Sequence, residues 1–204
     1  MFNPRLLYTL LLWLLLPYVF FHLLWRARKQ PEYLQYVAER FGRNGAHSDK
    51  PVIWLHTVSV GETRAAASLV QRLQANYPDH QLLLTHTTPT GRAASEQLFG
   101  DKVLRVYLPY DYPFAVQRFL QHFRPQVGVL LETEIWFNLI HCCHDAHVPL
   151  LLLNARLSER SAARYARYPG LTQPALRALS AVAAQSADDA ARLTALGARD
   201  VSVM

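Results

Sequence analysis

The chain has 204 residues, of which 51% are hydrophobic and 18% are charged, and its formal net charge is +6 at pH 7. This length allows one domain, or one domain with an anchor, but not two full domains of the usual size. Residues 1–50 contain seven Lys or Arg against three Asp or Glu, so most of the positive charge is N-terminal. This distribution favours contact with anionic membrane lipid and argues against nucleic acid as a partner.

The N-terminal segment is predicted to be a single-pass membrane anchor. From Leu6 to Trp25 there is no Asp, Glu, Lys or Arg, and about 20 such residues in a helix cross a hydrocarbon layer about 30 Å thick. A cleaved signal peptide is disfavoured because the segment runs into Trp25-Arg26-Ala27-Arg28-Lys29 without a small-residue cleavage pattern. These basic residues outnumber Arg5 on the other flank, which predicts that the remaining chain is cytoplasmic. Pro17 leaves both a straight and a bent insertion open.

The anchor and its basic flank occupy residues 1–30, and a juxtamembrane helix and linker are predicted at residues 31–50. Apolar residues at helical spacing within 31–43 predict a short helix, which would lie either on the lipid interface or against the domain. Residues 44–50 are polar and predict a linker. The globular domain is therefore expected to occupy residues 51–204.

From Pro51 onward, short apolar runs alternate with helical patterns, which is typical of a parallel sheet built from βαβ units. The predicted fold class is α/β, a Rossmann-like parallel sheet with flanking helices. Strands are predicted at Val52–Val58, Gln81–Thr87, Val103–Tyr107, Gln126–Leu131, Pro149–Leu153 and Ala181–Gln185. Helices are predicted at Glu62–Asn76, Gly91–Leu98, Pro113–Phe123, Ile135–Ala146, after Glu159, and at Asp188–Leu196.

The loops that follow the first five predicted strands carry the candidate functional residues. Ligands of open parallel sheets bind beyond the carboxyl ends of the strands, so these loops are expected to face one cleft. In the first loop, Gly61 would either let a ligand approach the backbone closely or adopt a positive φ. Glu62 would present its carboxylate to the cleft from the first turn of a helix, although an acid there also complements the helix dipole.

Two further loops offer polar side chains with two alternative interpretations each. Thr88 and Thr90 would present hydroxyls and helix amides to a phosphate or a sugar, but Thr is equally expected as a helix N-cap. Glu132 and Glu134 follow a strand directly, and their spacing would place both on one side if the strand continued. Such a pair suits a cation, a sugar hydroxyl or a developing positive charge, or else belongs to an acid-tolerant helix start.

Several site types are not predicted. The run His141-Cys142-Cys143-His144, with His147, does not indicate a zinc site, because these side chains diverge around a helix. The two adjacent cysteines also argue against an intrachain disulfide. The chain has no G-x-x-x-x-G-K-[ST] loop and no G-x-G-x-x-G after a strand, so nucleoside triphosphate or dinucleotide binding lacks its usual motifs.

Six segments of the chain form a recognisable set. They are the apolar anchor with Leu-Trp-Arg-Ala-Arg-Lys after it, HTVSVGET (56–63), TTPTG (87–91), YLPYD (107–111), ETEIW (132–136) with Asn138, and NARLSERS (154–161). Together they resemble the N-terminal half of the 3-deoxy-D-manno-oct-2-ulosonic acid (Kdo) transferases. The resemblance extends over nearly the whole chain and departs from the family pattern at Phe137, where a proline is usual.

The resemblance implies the acceptor-binding N-terminal domain of a GT-B glycosyltransferase at the bacterial inner membrane. Such an enzyme transfers Kdo from CMP-Kdo to the lipid A precursor lipid IVA, with inversion and without a metal or other cofactor. The donor-binding domain would follow residue 204, so this chain is expected to be inactive alone. The alternative is a non-catalytic, membrane-anchored module that binds an acidic glycolipid or a partner protein.

The resemblance also implies roles for individual residues. Glu62 would be the general base that accepts the proton of the acceptor hydroxyl. Glu132 would stabilise positive charge on the donor sugar in the transition state. The implied acceptor-binding residues are Gly61, Thr88, Thr90 and Arg92.

Overall fold

The structure is a computed structural model that describes residues 3–132 and 134–204. Its centre is one seven-stranded sheet. The strands are β1 (Val52–His56), β2 (Gln81–His86), β3 (Leu104–Tyr107), β4 (Pro125–Leu131), β5 (Leu150–Ala155), β6 (Ala181–Ala184) and β7 (Val201–Val203). Their order is β3-β2-β1-β4-β5-β6-β7, and every neighbouring pair is parallel. The predicted parallel α/β fold is confirmed.

The helices flank this sheet and precede it. They are α1 (Pro4–Ala27), α2 (Val60–Ala65), α3 (Ala67–Asn76), α4 (Pro89–Phe99), α5 (Pro113–Phe123), α6 (Phe137–Asp145), α7 (Glu159–Ala166), α8 (Pro169–Ala178) and α9 (Ala187–Ala195). All six predicted strands are present, and α5 has the predicted bounds. The edge strand β7 was not predicted, since three residues are too short for a clear alternation. The helix predicted at Glu62–Asn76 is two helices, α2 and α3.

The central strands are buried on both faces. In β1, Trp54 packs against Phe119 of α5, with ring centroids 5.1 Å apart. Its neighbour Leu55 points to the other face and joins a second core with Val70 of α3. Parallel sheets covered by helices on both faces require apolar residues at successive positions, which explains the continuous apolar runs in the sequence.

The strand order reverses between β1 and β4. The chain builds β1, β2 and β3 outward in one direction and then returns to place β4 against the other edge of β1. Such a switch point opens a crevice beyond the carboxyl ends of the two strands, where ligands of this sheet class bind. The loops after β1 and β4 carry Glu62 and Glu132, so the two predicted catalytic residues border this crevice.

Helix α1 is long and apolar enough to cross a membrane, with a mean hydropathy of 1.9 in its 18-residue window. It nevertheless packs against the rest of the chain. In its second turn, the Tyr8 hydroxyl donates to Asp111 Oδ2 at 2.8 Å. Twelve residues further along, Phe20 stacks on Phe41, with ring centroids 5.8 Å apart. A straight crossing that left the whole domain in the cytoplasm would have to separate one of these pairs.

The single helix predicted within residues 31–43 is wrong. The segment forms two 3₁₀ turns, Pro31–Leu34 and Val37–Phe41, because Tyr36 between them has a left-handed φ of 55°. The second turn packs on the domain, where Glu39 Oε2 accepts a hydrogen bond from the Tyr107 amide at 2.7 Å. Of the two positions left open by the sequence, the structure therefore shows the one against the domain.

Candidate active site

The Glu62 carboxylate is held in one orientation at the end of β1. Its Oε2 accepts a hydrogen bond from the Val58 amide at 2.7 Å, and its Oε1 accepts one from the Ser59 hydroxyl at 2.9 Å. Ser59 in turn caps α2 by accepting from the Glu62 amide at 3.3 Å. This reciprocal arrangement stabilises the helix start, and it also presents a fixed carboxylate to the crevice.

Three carboxylates lie close enough at this edge of the sheet to influence one another. Burial raises the pKa of Glu62, and the negative charge of Glu132 adds to that effect, while the Val58 and Ser59 hydrogen bonds oppose it. Burial raises the pKa of Glu134 to about 7, assisted by the charges of Glu62 and Glu132. Raised carboxyl pKa values of this kind bring general acid–base chemistry toward neutral pH.

The spacing of Glu132 and Glu134 predicted that both would lie on one side if the strand continued. The strand does not continue, so this arrangement does not form. The strand ends because Glu132 has a left-handed φ of 62°. Glu132 is exposed and lines a cavity of about 300 Å³ together with Glu62 and Asn154. Glu134 is half-buried, and its Oε2 accepts a hydrogen bond from the Trp136 indole. Residue 133 lies outside the described residues.

Gly61 is exposed in the first turn of α2, and its φ is not positive. A Cβ built there would meet only the Ser59 hydroxyl oxygen, at 3.8 Å, so no protein neighbour requires glycine. The positive-φ interpretation is therefore excluded. Close approach of a ligand to the backbone remains the prediction for this position.

Thr88 and Thr90 stand at the start of α4 beside the same crevice. The Thr88 hydroxyl accepts from the Gly91 amide at 3.1 Å and donates to the Val58 carbonyl at 3.1 Å. Thr88 is thus the N-cap that local helix chemistry requires. The Thr90 hydroxyl is 3.4 Å from that of Thr88. Acceptor binding by these hydroxyls remains a prediction.

Arg92 belongs to a cation–aromatic cluster that the sequence did not reveal. Its guanidinium pairs with Glu39 at 2.7 Å and lies 4.2 Å from the ring centroid of Tyr36. Next to it, Arg40 stacks over Tyr107 at 4.0 Å. The feature of the sequence that could have indicated this cluster is the charged pair Glu39-Arg40 inside an otherwise apolar turn. The predicted acceptor contact of Arg92 is a proposal that must accommodate this ion pair.

Two buried histidines are the last residues of β1 and β2. His56 Nδ1 is 2.9 Å from the Thr85 hydroxyl oxygen, and His86 Nδ1 is 3.0 Å from that of Thr57. Burial lowers the pKa of His56 to about 3 and that of His86 to about 4, so both are neutral at physiological pH. Their fixed rings support the loops that carry Glu62 and Thr88.

The His-Cys-Cys-His run lies in α6, where both cysteines are buried and free. Burial raises the pKa of Cys142 to about 11, which keeps this thiol protonated. Within residues 3–132 and 134–204, no three His, Cys, Asp or Glu side chains form a group suited to a metal ion.

Residues 35–204 match the family model described as 3-deoxy-D-manno-octulosonic-acid transferase (kdotransferase). The chain belongs to this family. The 3-deoxy-D-manno-octulosonic acid transferase of Haemophilus influenzae is 39% identical over 195 residues, covering 95% of this chain and 46% of that protein. The one of Bordetella pertussis is 40% identical over 206 residues, covering 96% of this chain and 47% of that protein.

The chain thus spans about half the length of these curated Kdo transferases. The family model includes every candidate site residue and begins after α1. Among solved structures, the MurG of Acinetobacter baumannii is similar with a TM-score of 0.48 and 12% identity, covering 69% of this chain and 42% of that one.

Proposed function

We propose that this chain is the acceptor-binding half of an inverting, metal-independent GT-B glycosyltransferase that transfers Kdo from CMP-Kdo to the lipid A precursor lipid IVA. Membership of the Kdo transferase family supports the class of reaction. The observation that carries the proposal is the oriented, half-buried Glu62 carboxylate at the switch point of the parallel sheet. A fixed carboxylate is what the activation of a sugar hydroxyl needs, because the neutral hydroxyl is a poor nucleophile.

In the proposed reaction, Glu62 accepts the proton of the acceptor hydroxyl as the oxygen bonds to the anomeric carbon of Kdo. The bond from that carbon to the phosphate oxygen of CMP breaks, and CMP leaves with the electron pair. Glu132 shares the cavity of about 300 Å³ with Glu62. Its exposed carboxylate would face the donor sugar and stabilise the positive charge that develops there.

The membrane setting of the proposal rests on α1. We infer that this helix holds the domain at the cytoplasmic face of the inner membrane, where the acceptor lipid resides and where anionic lipids attract the basic end of the helix. The single-pass crossing remains a prediction from the sequence. The contacts that Tyr8 and Phe20 of α1 make with the rest of the chain favour a helix that lies along the membrane surface.

Substitution of Glu62 tests the base assignment in a protein that carries this chain and its second half. Glu62→Gln should lower turnover by ~10²–10⁴-fold, which is the usual contribution of a general base, while acceptor binding is retained. Glu159→Gln is the matched control, since Glu159 is another acid in the first turn of a helix. Near-normal turnover of Glu62→Gln, measured as CMP release, would remove Glu62 from the proposed mechanism.

The isolated 204-residue chain tests the division of roles. Supplied with CMP-Kdo and lipid IVA, it should show no transfer, because the proposal assigns donor binding to the half that the longer relatives possess in addition. Measurable transfer by this chain would overturn that division. If a protein with both halves binds acidic glycolipid without turnover, the non-catalytic binding module is the correct alternative.

A further inference from the structure

Asn154 occupies an irregular position at the carboxyl end of β5. The residues on either side of it, Leu153 and Ala155, pair with consecutive residues of β6, so Asn154 is bulged out of this pairing. Its backbone has a left-handed φ of 54°, a conformation that asparagine adopts more readily than most residues and that glycine adopts without steric cost. Bulges of this kind redirect a side chain and are frequent next to active sites.

The bulge places Asn154 beside the carboxylates of the candidate active site. The Glu132 amide donates to the Leu153 carbonyl at 3.0 Å, which ties the end of β4 to the residue before Asn154. Glu132 is itself left-handed, with a φ of 62°, so two adjacent strands end in the same uncommon conformation. Asn154, Glu132 and Glu62 line the cavity of about 300 Å³. Uncommon backbone conformations that cluster in this way are typical of functional sites.

The side-chain amide of Asn154 is available to a ligand. The residue is half-buried, and its side chain forms no hydrogen bond with residues 3–132 or 134–204. Apart from the two carboxylates, the described wall of the cavity is mainly apolar, and its uncharged polar side chains are those of Asn154 and Ser68. A hydrogen bond is stronger in such surroundings than in water. The cavity therefore offers a ligand two carboxylate acceptors and one amide donor.

The position of Asn154 along the edge of the sheet favours the donor sugar as its ligand. Because β2, β1, β4 and β5 are successive neighbours, their carboxyl ends carry Thr88, Glu62, Glu132 and Asn154 in that order. In the proposed reaction, the donor sugar faces Glu132. Kdo is a 2-ulosonic acid, so its carboxylate is bonded to the anomeric carbon. Glu62 and Glu132 repel this carboxylate, whereas an amide on the far side of Glu132 can donate to it.

We propose that Asn154 is a further substrate-binding residue of this site, whose side-chain amide donates a hydrogen bond to the carboxylate of the donor sugar. The contact holds the anomeric carbon near Glu62 and Glu132 and turns the negative charge of the sugar away from both acids. The identity of the donor rests on the proposed function, since CMP-Kdo is the donor of that reaction.

Asn154→Gly separates a substrate contact from a role in the backbone alone. Glycine keeps the left-handed conformation and removes only the side chain. In a protein that carries this chain and its second half, kcat/KM for CMP-Kdo should fall ~10–100-fold, the usual effect of losing one hydrogen bond to a charged group. The KM for lipid IVA should stay unchanged. Unchanged kinetics would show that Asn154 serves the bulge alone and would overturn the proposal, and a loss confined to lipid IVA would overturn the donor assignment.

Asp200→Gly is the matched control. Asp200 is an exposed polar residue with a left-handed φ of 50°, and it precedes β7, at the edge of the sheet opposite the cavity. Its substitution should leave the kinetics unchanged. Thermal unfolding should show midpoints within about 3 °C of the unsubstituted protein for both variants, because glycine suits both positions. Equal losses of activity in the two variants would show that the lost amide is not the cause.

Asn154→Asp tests which group of the donor is contacted. Aspartate has nearly the same shape and also tolerates the left-handed conformation, but it replaces the amide donor by a negative charge that repels a carboxylate. Its kcat/KM for CMP-Kdo should therefore lie below that of Asn154→Gly. An aspartate variant as active as the glycine variant, or more active, would exclude the sugar carboxylate as the contacted group.

Glu62→Gln distinguishes failure of this contact from failure of the proposed reaction. If Glu62→Gln turns over normally while Asn154→Gly uses CMP-Kdo poorly, the role of Glu62 is contradicted and the contact of Asn154 is supported. If Glu62→Gln loses turnover while Asn154→Gly is unaffected, the contact of Asn154 alone is contradicted. Absence of transfer by the unsubstituted protein with both halves would overturn both.

Discussion

Glu62 and Glu134 have different surroundings that suit them to different tasks. Glu62 accepts hydrogen bonds from an amide and a hydroxyl, both of which favour the charged form against the effect of burial. Glu134 accepts one hydrogen bond, from the Trp136 indole, and burial together with two neighbouring carboxylates raises its pKa to about 7. A partly protonated Glu134 limits the negative charge that gathers around the proposed base.

The raised pKa of Glu134 predicts a pH dependence of stability. The folded state holds the proton of the Glu134 carboxyl more tightly than the unfolded state does. The stabilisation of the folded state by this protonation is therefore fully present below pH 4.5 and is lost as the pH rises through about 7. Its size is about 1–3 kcal/mol for a group that is partly solvated. Glu134→Gln, which stays neutral, should unfold at a higher temperature than the unsubstituted chain near pH 8, with a smaller difference near pH 5.

Glu132→Gln provides the control for this experiment. Glu132 is an exposed carboxylate two positions away, and its substitution should leave most of the pH dependence in place. Thermal unfolding followed by circular dichroism across this pH range measures all three proteins. A pH profile of Glu134→Gln that parallels that of the unsubstituted chain would show that Glu134 titrates at an ordinary pKa.

Helix α6 receives its N-terminal cap from a different loop. Asp111 accepts hydrogen bonds from the backbone amides of Asn138 and Leu139, at 3.1 and 2.7 Å, and from the Tyr8 hydroxyl of α1. Phe137 packs edge-to-face on Tyr8, with ring centroids 5.2 Å apart. The start of α6 is therefore both a cap site and the docking point for α1.

Substitutions at this junction should differ in cost. Asp111→Ala leaves two buried amides without an acceptor, which should lower the free energy of unfolding by about 2–4 kcal/mol. Tyr8→Phe removes one hydrogen bond and keeps the ring contact with Phe137, so its cost should be about 1 kcal/mol. Urea unfolding in detergent measures both. Similar costs for the two variants would contradict the capping role of Asp111.

At the scale of the whole molecule, α1 and the domain form one packed unit. The contacts of Tyr8 and Phe20 lie about 18 Å apart along a 24-residue helix, which is about 36 Å long. If α1 crossed a bilayer core of about 30 Å along its length, at least one of these contacts, and the surface that makes it, would lie inside the core. We therefore expect α1 to lie along the membrane surface, with its apolar outer face in the lipid.

Cysteine labelling determines this orientation. Asn3→Cys, just before α1, should react with a membrane-impermeant maleimide only from the cytoplasmic side, as in inverted membrane vesicles. Asp49→Cys, an exposed position in the linker just before β1, is the cytoplasmic control in either orientation, and the native cysteines are buried. Reaction of Asn3→Cys from the periplasmic side of intact cells would establish the single-pass crossing predicted from the sequence.

The parallel sheet and the position of the acids were predictable because both follow from local patterns. Strands covered on two faces are apolar over most of their length, as in β1, and parallel strands bring the loops after their carboxyl ends to one edge. Glu62 and Glu132 were therefore placed at the crevice from their positions after strands. The different environments of Glu132 and Glu134 were not predictable, because they depend on one left-handed residue and one indole contact.

The sequence by itself determined the fold class, the family and the apolar character of α1, since each depends on residues close together along the chain. Only the tertiary structure decided where α1 lies, that Arg92 pairs with Glu39, and that Glu132 and Asn154 both adopt a left-handed backbone. Arg92 and Glu39 are separated by 53 positions, and Tyr8 and Asp111 by 103. No local periodicity reports contacts over such distances, because they arise only when the sheet has assembled and its helices have packed.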